Sequence, residues 1–203
     1  SIDRTASRCR ENSCCRENSC CRRNSGVVLM AHLNGTTVVD LVRRSELIGP
    51  EELEQAVAEC RRAHGGSLPE NADGVLRFLR DSGLLTGWQC EQLAAGKVKG
   101  FFLTKYKILD HIGSGGMSSV YLAEHQLMRQ RRAIKVLPRR LVEESTYLDR
   151  FYREAEAIAK LDHSNIVRAY DVDHDGDLHY LVMEYVPGEN LQALIERDGP
   201  LGF

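Results

Sequence analysis

The sequence has no apolar run that approaches the roughly 18 residues of a membrane-spanning helix. Its longest apolar stretches, GVVLMAHL at residues 26–33 and LHYLVMEYV at residues 178–186, are far too short. It also has no apolar core followed by a small-residue cleavage site, which a secretory signal would need. The net charge of −2 gives no reason to expect nucleic-acid or anionic-membrane binding. These absences favour a cytoplasmic globular chain with no membrane segment of its own and no nucleic-acid partner, and they leave open a membrane anchor in a longer parent protein.

Cysteine is scarce outside an N-terminal tail, because five of the seven cysteines lie in the first 21 residues. The tail repeats C-R-E-N-S-C, and its spacing leaves a metal site or a disulfide cluster as alternatives. Residues 1–29 have no histidine, no hydrophobic periodicity and low complexity, so we expect a disordered tail without a metal. Ordinary protein sequence begins at Met30, which is a candidate start site. Cys60 and Cys90 lie in helical patterns typical of reduced cysteines in a cytosolic protein.

Residues 36–97 contain four short amphipathic patterns with helix start and stop signals, which predict a small all-α unit. TTVVDLVRRSELI begins with a threonine cap, and Pro50 lies in the first turn of the second helix. Thr86 and Gln89 have the spacing of a capping box. The expected core consists of Leu41, Leu53, Val57, Leu76, Leu79, Leu85 and Leu93.

We interpret this unit as a docking or packing module that could hold a protein partner. Trp88 is expected to anchor its core and not to serve as a ligand platform. The connector KVKGFFLTKY follows the stop signal at Gly96. We expect Phe101 and Phe102 to pack where the connector meets the next domain.

The stretch IGSGGMSSVYLAEHQLMRQRRAIK is a glycine-rich turn, a strand and a second strand that ends on a lysine. Gly113, Gly115 and Gly116 allow a positive φ and a close approach of the backbone to phosphate oxygens. Lys135 supplies a positive charge. The residues after the turn are β-branched and aromatic, which predicts a hairpin and not the helix of a dinucleotide-binding fold. A Walker A loop does not fit either, because no Lys-Ser or Lys-Thr follows the glycines.

These residues resemble the small lobe of Hanks-type protein kinases, where a glycine-rich loop covers the ATP phosphates and a strand lysine binds them. RFYREAEAIAKLDHSNIV, residues 150–167, resembles the kinase helix that carries the glutamate partner of this lysine. Its apolar positions fall on one helical stripe, which consists of Phe151, Ala155, Ile158 and Ala159. Glu154 lies at the edge of the stripe. The resemblance therefore implies that Lys135 and Glu154 form the catalytic ion pair.

LHYLVMEYVPGENL resembles the fifth strand and the hinge of bacterial serine/threonine kinases. In that family the hinge backbone binds adenine, here near Glu184 and Val186, with Met183 behind it. Val120 and Ala133 are the expected apolar lid over the ring. The resemblance implies ATP as the cofactor. The residues expected to bind it are Ile112, Gly113, Ser114, Gly115, Gly116, Met117, Ser118, Val120, Ala133, Lys135, Met183, Glu184 and Val186.

The segment DVDHDGD, residues 171–177, matches the opening of a calcium-binding loop. An EF-hand requires glutamate at the twelfth position, which is occupied by Val182. The kinase resemblance places this segment in a turn between two strands, where aspartate and glycine are ordinary. We therefore predict no calcium site and assign no metal ligands.

The motifs H-R-D-x-x-x-x-N, D-F-G and A-P-E, which follow the hinge in kinases, do not occur in these 203 residues. We interpret the chain as the ATP-binding portion of a serine/threonine kinase, from a truncated or interrupted reading frame, and expect it to be inactive alone. Magnesium and a protein substrate are expected only with a full-length parent. The alternative is a non-catalytic docking or regulatory module derived from a kinase. Gly113, Gly115, Lys135 and Glu154 together favour the ATP-binding interpretation.

The predicted fold class is therefore α+β, in three parts. A disordered tail, residues 1–29, precedes the helical unit, residues 36–97. Residues 106–203 form a kinase-like small lobe, a hinge and the first helix of a second lobe. The lobe is expected to have a five-stranded antiparallel sheet and one main helix.

Overall fold

The computed structural model describes residues 33–115, 118–142 and 145–199. The predictions for the tail, Met30, Gly116 and Met117 lie outside these residues. The helices are α1 (Gly35–Ser45), α2 (Pro50–Ala63), α3 (Ala72–Asp81), α4 (Gly87–Ala94), α5 (Arg139–Val142), α6 (Ser145–Ala159) and α7 (Leu191–Asp198). The strands are β1 (Phe102–Leu103), β2 (Tyr106–Ser114), β3 (Ser119–His125), β4 (Arg131–Val136), β5 (Ala169–Asp175) and β6 (Leu178–Glu184).

Helices α1 to α4 pack around one apolar core, which contains all seven residues predicted for it. The prediction of a threonine cap on α1 is wrong. The side chain of Asn34 caps this helix by accepting a hydrogen bond of 2.8 Å from the backbone N–H of Thr37. Asparagine is at least as good a cap as threonine, so the helix begins at Gly35. Pro50 begins α2, and the capping box on α4 is confirmed.

The six strands form one antiparallel sheet in the order β1-β2-β3-β4-β6-β5. The predicted α+β class is confirmed, but the sheet has six strands and not five. Phe102 and Leu103 supply the sixth, because they pair with Lys107 and Tyr106 across a two-residue turn. Thr104, at the start of that turn, has a φ of 47°.

The sheet is strongly curled, so that its two ends approach each other. The Nζ of Lys105, in the β1–β2 turn, lies 3.4 Å from a carboxylate oxygen of Asp171 on β5. The hydroxyl of Tyr180 lies 2.7 Å from the hydroxyl of Thr104 and donates to Asp173 at 3.1 Å. A sheet twists in one direction, and bulges add to the bend. The β2–β3 register has two such irregularities.

Helix α6 covers one face of the sheet. Phe151 and Ala155 are buried against Leu137 and Leu181, and Ile158 is partly buried beside them. Ala159, predicted as part of the same stripe, is instead exposed, because it is the last residue of the helix. Residues 160–168 are not helical and connect α6 to β5.

The helical unit covers part of the opposite face of the sheet. The apolar cluster there contains Tyr106, Ile134 and Tyr180, and Trp88 of α4 packs against it. Phe101 is 1% exposed and belongs to the helical core, so the connector ends inside that core. In the described part of the chain, no helix is both long and apolar enough to cross a membrane.

Candidate functional site

The strand register brings the predicted site residues of the sheet onto one face. Lys135 on β4 lies opposite Val120 on β3 and Leu181 on β6. Ala133, two residues earlier, lies opposite Met183. Residues that are directly opposite in a sheet point to the same side, as do residues two apart on one strand. Val120, Ala133, Lys135 and Met183 therefore share the face that α6 covers in part.

The glycine-rich turn joins β2 to β3 at the open end of this face. Gly113 pairs with Val120, and the N–H of Gly115 donates to the carbonyl of Ser118 at 2.8 Å. Neither Gly113 nor Gly115 has the positive φ that glycine would allow. A Cβ added at Gly113 would meet no protein atom within 4 Å. Contacts within the described chain therefore do not require glycine at position 113. The space beside the turn is open to a ligand.

Lys135 and Glu154 form an ion pair, with 2.5 Å between Nζ and Oε1. The lysine side chain is 21% exposed and the glutamate side chain 51% exposed. Phe151 and Ala155 fix the orientation of α6 by packing on the sheet, and Glu154 follows between them at the edge of the buried stripe. A helix presents residues three and four apart on one face, so this packing turns the carboxylate towards the lysine.

The pair lies in a cleft of about 480 Å³ between the glycine-rich turn and α6. Its wall consists of Gly115, Ser118, Lys135, Leu137, Tyr147, Arg150, Phe151, Arg153 and Glu154. Three of these residues are cationic and one is anionic. The cleft wall therefore carries a net positive charge. Such a cleft attracts anionic ligands, for example a chain of phosphate groups.

Sequence reasoning missed Tyr147, Arg150 and Arg153 as residues of this cleft. Tyr147 and Arg150 lie seven and four residues before Glu154 on α6, so extending the helical face of Glu154 towards the N-terminus would have identified them. Arg153 precedes Glu154 directly and carried no such signal.

The hinge residues lie beyond this cleft. The N–H of Glu184 donates to the carbonyl of Arg168 at 2.9 Å, and Val186 follows the end of β6 with 61% of its surface exposed. Ile112, before the glycine-rich turn, is 43% exposed. Among the described residues, the wall of this cleft contains Gly115, Ser118, Lys135 and Glu154 of the predicted site and none of the predicted hinge residues.

The calcium-like segment forms the end of β5 and the turn into β6. Gly176, in the turn, has a φ of 57°. The carboxylate of Asp173 accepts hydrogen bonds from the N–H of His174 and from the hydroxyl of Tyr180, and the first of these lowers its pKa. Within the ranges that the structure describes, no group of three or more histidine, cysteine or acidic side chains could hold a metal ion.

The profile of the protein kinase domain matches residues 106–202. The serine/threonine-protein kinase PrkC of Bacillus subtilis is 44% identical over 97 residues, which are 48% of this chain and 15% of that protein. The serine/threonine-protein kinase PknB of Mycobacterium leprae is 40% identical over 101 residues, which are 48% of this chain and 16% of that protein.

A probable serine/threonine-protein kinase of Clostridium acetobutylicum is 42% identical over 99 residues, 49% of this chain. The chain spans about 15% of the length of these relatives. The crystal structure of Rad53 1-466 in complex with AMP-PNP aligns with a TM-score of 0.44 at 30% identity, over 48% of this chain and 26% of that chain. From the profile and the bacterial relatives, residues 106–202 belong to the protein kinase domain family as the N-terminal part of a Hanks-type domain of the bacterial serine/threonine class.

Proposed function

We propose that residues 106–203 bind ATP for a serine/threonine protein kinase, which transfers the γ-phosphate to protein serine or threonine. The observation that carries the proposal is the Lys135–Glu154 pair at 2.5 Å, in a positively charged cleft that the glycine-rich turn closes. The carboxylate holds the ammonium group in place, so that the lysine can bind the α- and β-phosphates. Open space beside Gly113 suits the approach of phosphate oxygens to the backbone.

The adenine is assigned to the remaining predicted residues. Val120, Ala133 and Met183 share the sheet face of Lys135, and the backbone near Glu184 and Val186 would accept and donate the adenine hydrogen bonds. When bound in the whole protein, magnesium would neutralise charge on the phosphates. The described residues offer no cluster of metal ligands, so we assign the metal to groups outside them.

A footprinting experiment tests the nucleotide site. Hydrogen exchange of the 203-residue chain is measured with and without ATP. We expect slower exchange in residues 112–120, 133–136 and 183–186, and unchanged exchange in α2, none of whose residues lines the cleft. Protection confined to the helices, or no protection at saturating ATP, would contradict the proposal.

The transfer reaction needs the aspartate of H-R-D-x-x-x-x-N and the metal-binding groups of the catalytic loop and D-F-G. Neither motif occurs in these 203 residues. The coding DNA after the codon for Phe203 therefore tests the activity. H-R-D-x-x-x-x-N followed by D-F-G, in any frame, would support a kinase parent. Their absence from all frames would favour the docking or regulatory alternative.

We extend the proposal to the rest of the chain. Residues 36–97 would act as a docking or regulatory module on the small lobe, and the division into residues 1–29, 36–97 and 106–203 stays a prediction. Cys60 and Cys90 are free thiols, and burial raises the pKa of Cys90 to about 11. We assign the chain to the cytoplasm, and the free thiols of Cys60 and Cys90 in the described part of the chain are compatible with a reducing compartment.

A further inference from the structure

A second cavity lies at the seam between the helical unit and the sheet. It has a volume of about 290 Å³ and opens to solvent on one side. Val136 in its wall follows Lys135 directly on β4, so the cavity lies on the sheet face opposite the candidate ATP site. We call it the seam pocket. It is lined by Trp88, Gln92, Lys97, Lys99, Gly100, Phe101, Phe102, Leu103, Ile108, Tyr121, Val136 and Leu178.

The inner wall of the seam pocket is apolar and comes from both units. Trp88 of α4, predicted only to anchor the helical core, is partly buried against both units, with its ring edge-to-face to Phe101 at 6.1 Å and to Tyr121 at 5.9 Å. The sheet contributes Leu178 and Val136 from the opposite side. Aromatic rings in fixed edge-to-face contact form a preformed wall, which an apolar ligand can use without reordering side chains.

The rim of the seam pocket carries charge of one sign. Lys97 and Lys99 are the charged residues of its lining, and no acidic side chain is among the residues that form it. The Nζ of Lys97 donates to Oε1 of Gln92 at 2.7 Å, a contact between two rim residues. In the described chain, neither lysine has a carboxylate within 4.0 Å, whereas Lys105 and Lys160 both do.

We propose that the seam pocket binds an anionic amphiphile, with its anionic head at Lys97 and Lys99 and its apolar chain against Trp88. A cavity of about 290 Å³ that opens to solvent on one side has room for a short apolar chain whose polar end lies outside it. The ligand would contact α4, the connector and the sheet at once. It would therefore strengthen the attachment of the helical unit to the lobe.

The chain provides its own probe, because Trp88 is its only tryptophan. Decanoate, below its micelle concentration, is titrated into the full chain while Trp88 fluorescence is recorded. We expect a saturable change in emission. Decanol and decylammonium, which have the same chain length without the negative charge, should bind about three- to tenfold more weakly, because two partly solvated charge contacts are lost.

Variants separate charge recognition from simple apolar adsorption. Changing Lys97→Ser and Lys99→Ser together should weaken decanoate binding about three- to tenfold, and added salt should weaken it in the parent chain. Lys160→Ser is the matched control, because that lysine follows the C-terminal end of α6 and does not line the seam pocket, and the variant should bind decanoate normally. Leu178→Phe narrows the pocket and should also weaken binding.

Two results would overturn the proposal. One is an unsaturable or absent response of Trp88 to decanoate. The other is equal affinity for decanoate, decanol and decylammonium that the two lysine substitutions do not change, because this would show apolar adsorption without recognition of the charge.

Discussion

The Lys135–Glu154 pair is held by packing beside it and not by its own strength. About half of the glutamate side chain is exposed, so solvent screens the pair, and pairs of this kind contribute roughly 0–1 kcal/mol to stability. Phe151 and Ala155, which are almost fully buried, fix the helix that carries the glutamate. The pair therefore matters for where the ammonium group lies more than for the free energy of unfolding.

Changing Glu154→Gln separates these two effects. We expect ATP binding by the chain to weaken about tenfold, since the ammonium group loses the charge that orients it, while the melting temperature changes little. Glu156→Gln is the control, because Glu156 pairs with Lys160 on the exposed side of the same helix. Equal loss of ATP affinity in both variants would show that helix charge, and not the pair, is responsible.

Tyr180 makes stability depend on alkaline pH. Burial of the ring raises its pKa to about 12 from an ordinary value near 10, and the hydrogen bond donated to Asp173 acts in the same direction. The folded state therefore holds this proton more tightly than the unfolded state does. The resulting stabilisation is complete below pH 10 and is lost as the pH rises from about 10 to about 12.

Tyr180→Phe should remove this contribution. We expect the variant to lose about 1 kcal/mol at pH 7, because two hydrogen bonds are lost, and to decline less steeply than the parent chain above pH 10. Urea unfolding at pH 7, 9 and 11 measures both effects. Parallel stability curves for the two proteins across this range would show that Tyr180 does not carry the dependence.

Residue-level prediction worked where one local pattern decided the outcome. The apolar stripe of α6 was enough to place Glu154 at its inner edge, and the structure puts that carboxylate on Lys135. Prediction of the N-cap of α1 failed, because asparagine and threonine are both good caps. Only the residue at which the helix begins shows that Asn34, and not a threonine, is the cap. Arg153 of the cleft was missed because no sequence pattern marks it, and it lines the cleft only because the turn at Gly115 lies beside α6.

At the scale of elements, helix α4 is attached to β2 by the same two side chains that cap it. The hydroxyl of Thr86 donates to the carbonyl of Leu109 at 2.5 Å, and Nε2 of Gln89 donates to the carbonyl of Ile108 at 2.7 Å. The β2–β3 register shifts between Ile108 and Asp110, so Leu109 has no partner residue on β3. A bulge disrupts the hydrogen bonds between two strands locally. At this bulge Thr86 and Gln89, the capping-box residues of α4, donate hydrogen bonds to the backbone of β2.

Changing Gln89→Ala should destabilise the chain by about 1–3 kcal/mol, because it leaves the carbonyl of Ile108 without this donor and removes half of the capping box. Gln55→Ala, on the exposed surface of α2, is the matched control and should be nearly neutral. Chemical denaturation compares the two. If the loss for Gln89→Ala were no larger than that for Gln55→Ala, the attachment of α4 to β2 would contribute nothing to stability.

The capping box itself was predictable, because Thr86 and Gln89 are three residues apart in the sequence. Its second set of partners was not, since Ile108 and Leu109 are 19 and 23 residues from the side chains that bond them. The sixth strand escaped prediction for a related reason. Phe102 and Leu103 form a strand only through pairing with β2, and two residues carry no alternation from which to predict it.

At the scale of the whole molecule, the connector joins the two units through its aromatic residues. Phe101 is buried in the helical core, Phe102 begins the sheet, and the carbonyl of Phe101 accepts a hydrogen bond from Ile108 at 2.8 Å. Full burial of a phenylalanine side chain, as for Phe101, contributes very roughly 1.5–3 kcal/mol, and the partly buried Phe102 contributes less. The prediction that these residues pack at the junction is confirmed.

Changing Phe101→Ser and Phe102→Ser together should therefore speed hydrogen exchange both in residues 36–97 and in β2. Leu127→Ser is the control, because that side chain is 89% exposed in the turn after β3, and it should leave exchange unchanged. Unaltered exchange in both units of the double variant would mean that they are independent.

The order of elements in residues 106–198 could be predicted well, because glycine turn, strand lysine, helix and hinge follow one another at the spacing of the family. The placement of the helical unit on the outer face of the sheet could not, since no sequence periodicity encodes contacts between Trp88 and Tyr121. Because the helical unit packs on one face of the sheet, the cleft that contains Lys135 lies on the other face.

The central claim is that Lys135 binds the phosphates of ATP in that cleft. The direct measurement is calorimetric titration of ATP into the 203-residue chain and into the variant Lys135→Met. The control variant is Lys160→Met, which removes an exposed lysine just after the end of α6. We predict weak, saturable binding to the parent chain and to Lys160→Met, and a loss of at least about tenfold in affinity for Lys135→Met. Equal ATP affinity in all three proteins would contradict the account.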